Sequence, residues 1–364
     1  MTNLVRQFVR FGRAVARAVL VEVVGRVLYY SGLLFLIGWL RQRVGPRRLF
    51  IPMYHRVRGP GDEAGANLLG VQRGVPIELF EQHVRVFRWF GPLVTLDVAY
   101  DQLRQSSKPP RTVIAITFDD GYRDNVTLAV PLLKRLGERA TIFPVVRTAS
   151  GGRPLWWDEL TDVLARGTIN GDGLVPYLAN LENCALSDSD CDRVGPSATR
   201  TAMAGFLCER LVELPGSRRE RVVTELAARL TVRSANGPER LYAGWHELRA
   251  VAAAGFEIGG HTLDHVVLPR EEPPVAESQI VGCRAALERE CRRPIRSFAY
   301  PNGRHDATVR ALVAAAGFRV AVTVEHGVNY TDTDPHQLRR MPISCERPFE
   351  LALKLAFYGW VNRR

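Results

Sequence analysis

The sequence predicts an α/β protein built around a parallel sheet, and two observations lead to that class. Short apolar runs rich in β-branched residues alternate with helical patterns along most of the 364 residues. Polar clusters come directly after several of these runs, as in barrels whose active site lies at the C-terminal ends of the strands. The length suits one large domain or a domain with additions.

Eight apolar runs, spread over the chain from residue 49 onward, are predicted to be strands. They are Leu49–Met53, Leu93–Leu96, Val113–Phe118, Ala140–Val146, Phe256–Gly259, Ile295–Tyr300, Phe318–Val324 and Leu338–Ile343. Helical patterns separate several of them, at Thr127–Leu136, Trp245–Ala254 and Pro274–Arg292. Residues 156–240 interrupt the alternation. They are predicted to form a mostly helical insertion in a catalytic domain that covers residues 48–364.

The first 50 residues carry most of the net charge. They contain nine Arg, no Lys and one acidic residue, Glu22, so 9 − 1 gives +8 of the formal +11. A helical projection separates two faces, with Leu4, Phe8, Phe11, Val15 and Ala18 on one and Arg6, Arg10, Arg13 and Arg17 on the other. Such a basic amphipathic helix is typical of a segment that lies at an anionic membrane surface.

Residues 27–40 follow without a charge and place Tyr29, Tyr30 and Trp39 where membrane-interface anchors are common. This run is too short to span a bilayer comfortably, which takes about 20 residues. We therefore predict that residues 1–47 form a monotopic or re-entrant membrane segment, with a helical hairpin packed on the barrel as the alternative. The Arg-rich composition favours the cytoplasmic face, and a periplasmic or outer face stays open.

The basic charge does not predict a nucleic-acid partner. It is concentrated in a segment that is also apolar, and no base-stacking or groove-reading motif accompanies it. Six Cys are scattered without a CxxC pair, so neither a structural zinc site nor a disulfide framework is indicated. Cys184 and Cys191, in the insertion, give only weak support for an oxidising compartment.

Two carboxylates end one buried strand. Asp119 and Asp120 follow the β-branched run at residues 112–116, and adjacent residues at a strand end can point in different directions. One carboxylate can then bind a metal ion while the other accepts a proton from water. Gly121 allows the backbone to turn sharply beside them.

Two imidazoles follow a second apolar run. His261 and His265 stand four residues apart, a spacing that can turn both rings toward one ion, on a helical turn or in a tight loop. Two His and one Asp leave coordination positions open for water and substrate. Open positions distinguish a catalytic zinc site from a structural one.

These two clusters match known motifs without a mismatch. Thr117-Phe118-Asp119-Asp120-Gly121 and His261-Thr262-Leu263-Asp264-His265 closely resemble the first and second motifs of the polysaccharide deacetylase family, the NodB-homology metal hydrolases. The resemblance runs from about residue 49 to about residue 343. Phe298-Ala299-Tyr300-Pro301-Asn302-Gly303 is similar to the third motif, although Ala299 stands where an Arg is frequent. That departure leaves open which residue orients the catalytic Asp.

The resemblance implies a distorted, incomplete (β/α) barrel and a hydrolase that removes N-acetyl groups from amino sugars of a polysaccharide or cell-envelope glycan. Asp120, His261 and His265 would bind a divalent metal ion, most often zinc, and Asp119 would act as the base. The backbone N–H of Tyr122 would stabilise the oxyanion. The third motif, with Tyr300 and Pro301, would line the substrate groove.

The general acid is the least defined role. The Leu-x-His motif that supplies it in many relatives has no clear counterpart, since His326 and His336 lack its context. We favour His55, in a segment Met53-Tyr54-His55-Arg56-Val57 that resembles the M-Y-H segment of many bacterial members; a buried structural His beside Tyr54 is the alternative. Asp306 is a weaker candidate, because its position predicts a helix cap.

Two other functions stay open. A deacylase or deformylase of a lipid-linked sugar would share every catalytic residue and would explain the N-terminal segment. A catalytically silent carbohydrate-binding relative would keep the barrel, although the complete motifs argue against it. In each case Trp156 or Trp157 could stack on a sugar, or both could pack in a core.

Overall fold

The computed structural model describes residues 22–60, 74–104, 110–168, 199–232 and 240–358. The predicted amphipathic helix around residues 4–18 lies outside these ranges, as do Cys184 and Cys191. The cysteines within them are free thiols: Cys208, Cys283, Cys291 and Cys345.

Parallel strands form the centre of the molecule. The described strands are β1 (Arg48–Phe50), β2 (Pro52–Tyr54), β3 (Val57–Arg58), β4 (Val75–Pro76), β5 (Thr112–Ile114), β6 (Thr117–Asp120), β7 (Thr141–Pro144), β8 (Gly167–Thr168), β9 (Thr231–Val232), β10 (Glu257–Ile258), β11 (Ser297–Ala299), β12 (Val320–His326) and β13 (Leu338–Pro342). Seven form one parallel sheet in the order β10-β7-β6-β2-β13-β12-β11. A parallel bridge between Gly260 and Phe298 joins its two edges. The predicted incomplete (β/α) barrel is confirmed, with seven strands instead of the usual eight.

Two of the predicted strands are each divided in two. The run at residues 49–53 becomes β1 and β2, and the run at 113–118 becomes β5 and β6. β1 pairs with β5 outside the seven-stranded sheet, whereas β2 pairs with β6 within it. The predicted strand Leu93–Leu96 is wrong, because only Leu93 forms a bridge and Leu96 begins a helix whose first N–H is bound by the Thr141 hydroxyl at 2.9 Å.

Helices surround the sheet. They are α1 (Glu22–Tyr30), α2 (Leu33–Arg41), α3 (Ile77–Phe90), α4 (Leu96–Arg104), α5 (Val130–Arg135), α6 (Val146–Ala149), α7 (Trp156–Arg166), α8 (Arg200–Leu211), α9 (Gly216–Arg229), α10 (Trp245–Ala253), α11 (Pro273–Cys291), α12 (Ala307–Ala315) and α13 (Pro348–Phe357). A π-helix, Asn125–Ala129, leads into α5, and 3-10 turns lie at Leu268–Arg270 and Pro301–Gly303.

The insertion has its own hydrophobic core. Its described helices α7, α8 and α9 pack around residues such as Trp157, Phe206 and Leu226. Tyr122 and Val145 belong to the same core, although they follow the barrel strands β6 and β7. The insertion is therefore packed on the C-terminal ends of these two strands, at the edge where the predicted site lies.

The N-terminal helices α1 and α2 lie on the outside of the barrel. Their axes are bent by 73°. No single described helix is long and apolar enough to cross a bilayer, although the two together have the length and apolar composition of one span. One face of the pair is packed on the body, because Leu34 is fully buried and a side chain at Gly38 would meet the ring of Phe90.

Candidate active site

Asp119 and Asp120 end β6 and point to different partners. Asp120 has a left-handed backbone (φ 68°), and Gly121 follows with φ 71°. A Cβ at position 121 would lie 2.8 Å from the Cα and Cβ of Pro144 on β7, so only glycine fits there. This turn directs Asp119 to a buried arginine and Asp120 to the two histidines. A left-handed aspartate is a strained conformation of the kind that collects at active sites.

His261 and His265 lie in a tight loop after β10. Thr262 and His265 both have left-handed backbones, with φ of 64° and 57°. The Thr262 hydroxyl closes the loop by accepting the backbone N–H of His265 at 2.8 Å. Nδ1 of His261 lies 2.7 Å from the carbonyl oxygen of Ala299, which leaves Nε2 facing Asp120. Ala299 thus orients a histidine through its backbone, at the position where the resemblance predicts an Arg.

The side chains of Asp120, His261 and His265 converge on one point. Nε2 of each histidine lies 3.4 Å from Oδ1 of Asp120, and the three candidate ligand atoms lie within 4.8 Å of one another. All three side chains are buried, and Oδ1 of Asp120 has no hydrogen-bond partner in the described part of the chain. An orphaned buried oxygen beside two imidazole nitrogens fits a divalent ion that accepts nitrogen and oxygen ligands.

The pKa of each of these three groups is shifted by its buried surroundings. Burial raises the pKa of Asp120, but the interaction with His261 and the charges of the neighbouring imidazoles outweigh it, so the pKa lies below its ordinary value. Burial, followed by the charge of His261, lowers the pKa of His265 to about 3. Burial also opposes the charged form of His261, yet its interactions with Asp120 and Asp119 raise its pKa. A neutral His265 keeps its nitrogen lone pair available, as a metal ligand must.

A buried arginine holds Asp119. Arg340, on β13, donates from its two terminal nitrogens to the two carboxylate oxygens of Asp119, each at 2.7 Å. Its Nε donates to the carbonyl oxygen of Thr323 at 2.6 Å, which fixes the plane of the guanidinium. Burial alone would raise the pKa of Asp119, but Arg340 reverses this effect and holds the pKa well below its usual range. Asp119 is therefore a carboxylate that Arg340 holds separately from the candidate metal ligands.

His55 comes directly after β2, the strand between β6 and β13. After burial and the nearer partners, its charge contributes to lowering the pKa of both Asp119 and Asp120. The side chain of Asn125, in the π-helix, donates to the carbonyl oxygen of His55 at 2.8 Å. His55 is partly buried, and its electrostatic effect on both carboxyl groups puts it in their neighbourhood.

The inserted helix α7 forms the opposite side of the site. Tyr122 donates its hydroxyl to Oδ2 of Asp158 at 2.8 Å, and Tyr242 donates to the same oxygen. Nε1 of Trp157 donates to the Tyr122 hydroxyl at 3.0 Å. The Trp157 ring then meets the His265 ring edge to face, with centroids 4.6 Å apart. A candidate metal ligand of the barrel is thus in contact with a side chain of the insertion.

Burial of this cluster changes the charge state of its carboxyl group. Burial raises the pKa of Asp158 to about 7, although the hydroxyls of Tyr242 and Tyr122 act in the opposite direction. Both tryptophans are buried as well, and the guanidinium of Arg219 lies 5.0 Å from the ring of Trp156. Trp156 and Trp157 are therefore placed as in the core alternative, instead of standing open to a sugar.

A family model described as polysaccharide deacetylase matches residues 106–171 and 210–321 of the chain. The matched ranges include the aspartate pair, the histidine pair and the third motif, and the gap between them falls inside the insertion. The chain belongs to the polysaccharide deacetylase family. His55 and Arg340 lie outside the matched ranges.

One relative of this deacetylase-family protein is similar to it over part of its length. The chain is 32% identical over 131 residues to the Bacillus subtilis (strain 168) protein named "Putative polysaccharide deacetylase YxkH", which covers 36% of this chain and 43% of that relative. The chain thus matches less than half of the relative's length.

Solved structures with the same fold include the Streptococcus pyogenes deacetylase PplD in complex with acetate. Its TM-score is 0.54 at 17% identity, and the match covers 86% of this chain and 99% of that chain. IcaB from Ammonifex degensii is similar at TM-score 0.53 and 16% identity, with the same two coverages. At these identities the likeness establishes the fold.

The structure also places the remaining predicted residues of this family member. Tyr122 pairs with Tyr242 in an antiparallel bridge whose two hydrogen bonds are made by the neighbouring residues, so this pairing does not use the Tyr122 N–H. Its role at an oxyanion stays a prediction. Tyr300 is fully buried and donates its hydroxyl to the carbonyl oxygen of His336, and Pro301 is buried beside it. Their contact with substrate likewise stays a prediction.

The weaker candidates for the acid have other structural roles. Asp306 caps α12 by accepting the backbone N–H of Val309 at 2.8 Å, as its position predicted. The ring of His336 lies with Nε2 2.9 Å from the carbonyl oxygen of Phe318. His326 is exposed at the end of β12.

Three contributors were missed from the sequence. Arg340 had a usable signal, because a charged residue inside a predicted buried strand needs a partner. Trp157 and Asp158 lie in the insertion, where no motif marks them, and only contacts between distant segments show their part in the site.

Proposed function

We propose that this protein is a metal-dependent hydrolase that removes N-acetyl groups from amino sugars of a polysaccharide or cell-envelope glycan. One observation carries the proposal: a carboxylate bound by Arg340 stands next to a separate Asp-His-His set with an orphaned oxygen. Two carboxylates in different environments at one strand end can divide the roles of base and ligand.

Asp120, His261 and His265 are the residues that would hold the metal. A divalent ion, zinc in our proposal, supplies Lewis acidity toward a carbonyl oxygen and toward water when it is bound there. Asp119 accepts the proton of the attacking water. Its low pKa keeps it unprotonated, and Arg340 holds it in one orientation.

The second half of the reaction needs a proton donor. Water adds to the acetyl carbonyl carbon, the C–N bond then breaks, and the amine leaves with a proton while acetate is released. His55 is our candidate for the donor, because its imidazole is partly exposed and lies near both carboxylates. The N–H of Tyr122 is our candidate for the oxyanion contact.

A second candidate is hydrolysis of an acyl or formyl group on a lipid-linked amino sugar at the membrane. One observation favours it: the α1–α2 pair carries exposed apolar side chains on its outer face. The catalytic residues are the same in both cases, so substrate trials must separate them.

The test is acetate release by the purified full chain from N-acetylglucosamine oligosaccharides and from a polyprenyl-linked N-acetyl amino sugar. Each assay is run before chelation, after chelation and after zinc is returned. Release that is lost and restored with zinc supports the proposal, and the preferred substrate selects the class. Zinc binding without release from either substrate would contradict deacetylation and favour a carbohydrate-binding role.

A further inference from the structure

The outer face of the N-terminal helices carries an unbroken apolar stripe. Its members follow one another at spacings of three or four residues through both helices and the bend between them: Val23, Val27, Tyr30, Leu33, Leu36, Leu40 and Val44. Gly32 makes the bend with a left-handed backbone (φ 79°), and nothing lies within 4 Å of the place where its Cβ would be. Tyr30, at this corner, is 78% exposed.

Most of the large hydrophobic side chains that are exposed in the described ranges lie on or next to these two helices. Of the thirteen large hydrophobic side chains exposed in the described ranges, nine lie within residues 23–44. A tenth, Trp89 at 57% exposure on α3, contacts Phe35 with ring centroids 5.0 Å apart. A contiguous patch of this kind on a folded domain indicates an interaction surface, whereas single exposed residues do not.

The inner face of the same helices is fixed to the catalytic body. Glu22 pairs with Arg347 at the start of α13, at 2.7 Å. A Cβ on Gly25 would meet Leu353 at 2.6 Å, and one on Gly38 would meet Phe90 at 2.9 Å, so both glycines allow close contact with the body. The stripe is therefore held outward by a docked hairpin, and its exposure does not come from loose attachment.

Charged and aromatic residues on and near this face indicate what kind of partner it binds. Residues 1–50 contain nine Arg and one acidic residue, which complements an anionic surface. Tyr30, Trp39 and Trp89 are residues that favour the boundary between headgroups and acyl chains. Arg43 lies over the Trp39 ring at 3.8 Å from its centroid, so a cation accompanies the aromatic edge of the stripe.

We propose that the α1–α2 stripe together with Trp89 docks on an anionic lipid bilayer as a monotopic surface, with the corner at Tyr30 and Leu33 inserted into the interface. The same face could instead bind a second copy of this chain, and the experiment below distinguishes a dimer from membrane binding. The proposal concerns binding alone and does not rest on the proposed function, because vesicle partitioning is measured without turnover.

The experiment uses the full chain and matched valine substitutions. Flotation is measured with vesicles of phosphatidylcholine alone and of phosphatidylcholine with an equal amount of phosphatidylglycerol, at low and high salt. The test variant is Val23→Glu/Val27→Glu on the stripe. The control is Val275→Glu/Val281→Glu on α11, whose side chains are 44% and 46% exposed.

We expect the parent to bind the anionic vesicles, and this binding should weaken with salt. Binding of the stripe variant should be at least tenfold weaker, because two apolar contacts are lost and two negative charges are brought to an anionic surface. The control should bind as the parent does. Equal binding by parent and stripe variant would overturn the proposal. The proposal would also be overturned if the parent did not bind vesicles but formed a dimer, and if Val23→Glu/Val27→Glu dissociated that dimer.

A second measurement keeps the test independent of residues 1–21. Lipids brominated in the acyl chain should quench the fluorescence of Trp39 and Trp89 on binding. Trp39→Phe/Trp89→Phe should remove most of that quenching, whereas Trp245→Phe, whose Nε1 bonds to Ser150 on the body, should not. Quenching that survives the double variant would mean that this face does not meet the bilayer.

Discussion

The two sides of the metal centre are built differently. On the barrel side, Asp119, Asp120 and His55 stand at the ends of adjacent parallel strands, and Arg340 binds Asp119 from β13. On the insertion side, Trp157 and Asp158 come from a helix. Both bond to the Tyr122 hydroxyl, and the Trp157 ring also contacts His265. The barrel side holds the groups that we propose transfer protons and bind metal. The insertion side holds none of these and only packs against them.

The difference shows what each side can contribute. Strand ends fix reacting groups because both neighbours in a sheet constrain the backbone, and the left-handed turn at Asp120 is tolerated only in such a setting. A packed helix excludes water and limits ring motion, so its effects should be smaller. We expect substitutions to rank accordingly.

The largest effect is expected for Asp119→Asn. The variant keeps a side chain of the same size but loses the base, so turnover should fall about 10³-fold or more while zinc is retained. Zinc content and acetate release should be measured on the same preparation. His261→Ala is the matched comparison, because it should lose both zinc and turnover. Full activity in Asp119→Asn would remove its assignment as base.

Much of the barrel side of the site could be predicted from the sequence. Strand-end aspartates and the paired histidines could be located because they follow apolar runs within short motifs. The order of the strands in the ring depends on pairing between distant segments, and no local pattern indicates it. Met53 of β2 pairs with Thr117 of β6, 64 residues away, and Met341 of β13 pairs with Pro52 of β2, 289 residues away. The division of two predicted strands could not be predicted either, because an apolar run does not show where the backbone stops pairing with one strand and starts pairing with another.

The insertion side could be predicted only as helical. Trp157 and Asp158 look like ordinary residues of an amphipathic helix. Their roles arise because Tyr122 and Tyr242 belong to the same buried cluster, in a core that the periodicity of α7 alone cannot reveal. The choice between sugar stacking and core packing for the two tryptophans was likewise decided by burial.

Arg340→Met should have the next largest effect, and it tests whether the barrel side depends on a single cation. Removing one partner leaves a buried carboxylate, which should cost about 3 kcal/mol of stability. The pKa of Asp119 should rise, because Arg340 is what overcomes burial, and the acidic limb of the rate–pH profile should move to higher pH.

The control is the double variant Asp119→Asn/Arg340→Met. If the two residues act as a pair, its stability should be higher than the sum of the two single losses predicts. An additive result, with an unchanged pH profile in Arg340→Met, would show that Arg340 serves the fold without positioning the base.

Asp158→Asn should change the pH dependence of stability on the insertion side. The folded pKa is about 7, above the unfolded value, so the folded protein retains a proton between pH about 4 and about 7 that the unfolded chain releases. This stabilisation is complete below pH about 4 and is lost as the pH rises to about 7. The variant lacks this titration, so its stability relative to the parent should improve by up to about 3 kcal/mol from pH 5 to pH 8.

Urea unfolding at the two pH values measures this difference, and any cost of the amide itself cancels between them. Asp162→Asn, on the same helix but in a solvent-accessible pair with Arg166, is the control and should show no such change. Parallel behaviour of Asp158→Asn and the parent would mean that Asp158 is ionised in the folded protein at both pH values.

The smallest effect is expected for Trp157→Phe, and it measures how far the insertion side reaches into the metal centre. The variant loses the N–H bond to Tyr122 but keeps a ring near His265, so it should cost about 1 kcal/mol and lower zinc affinity several-fold. Trp156→Phe is a close match, because Nε1 of Trp156 is buried without a partner in the described ranges. It should leave zinc affinity unchanged in a chelator competition titration. Equal losses in the two variants would show that the insertion supports the site only by bulk packing, whereas a loss confined to Trp157→Phe would show that its hydrogen bond is transmitted through the ring to His265.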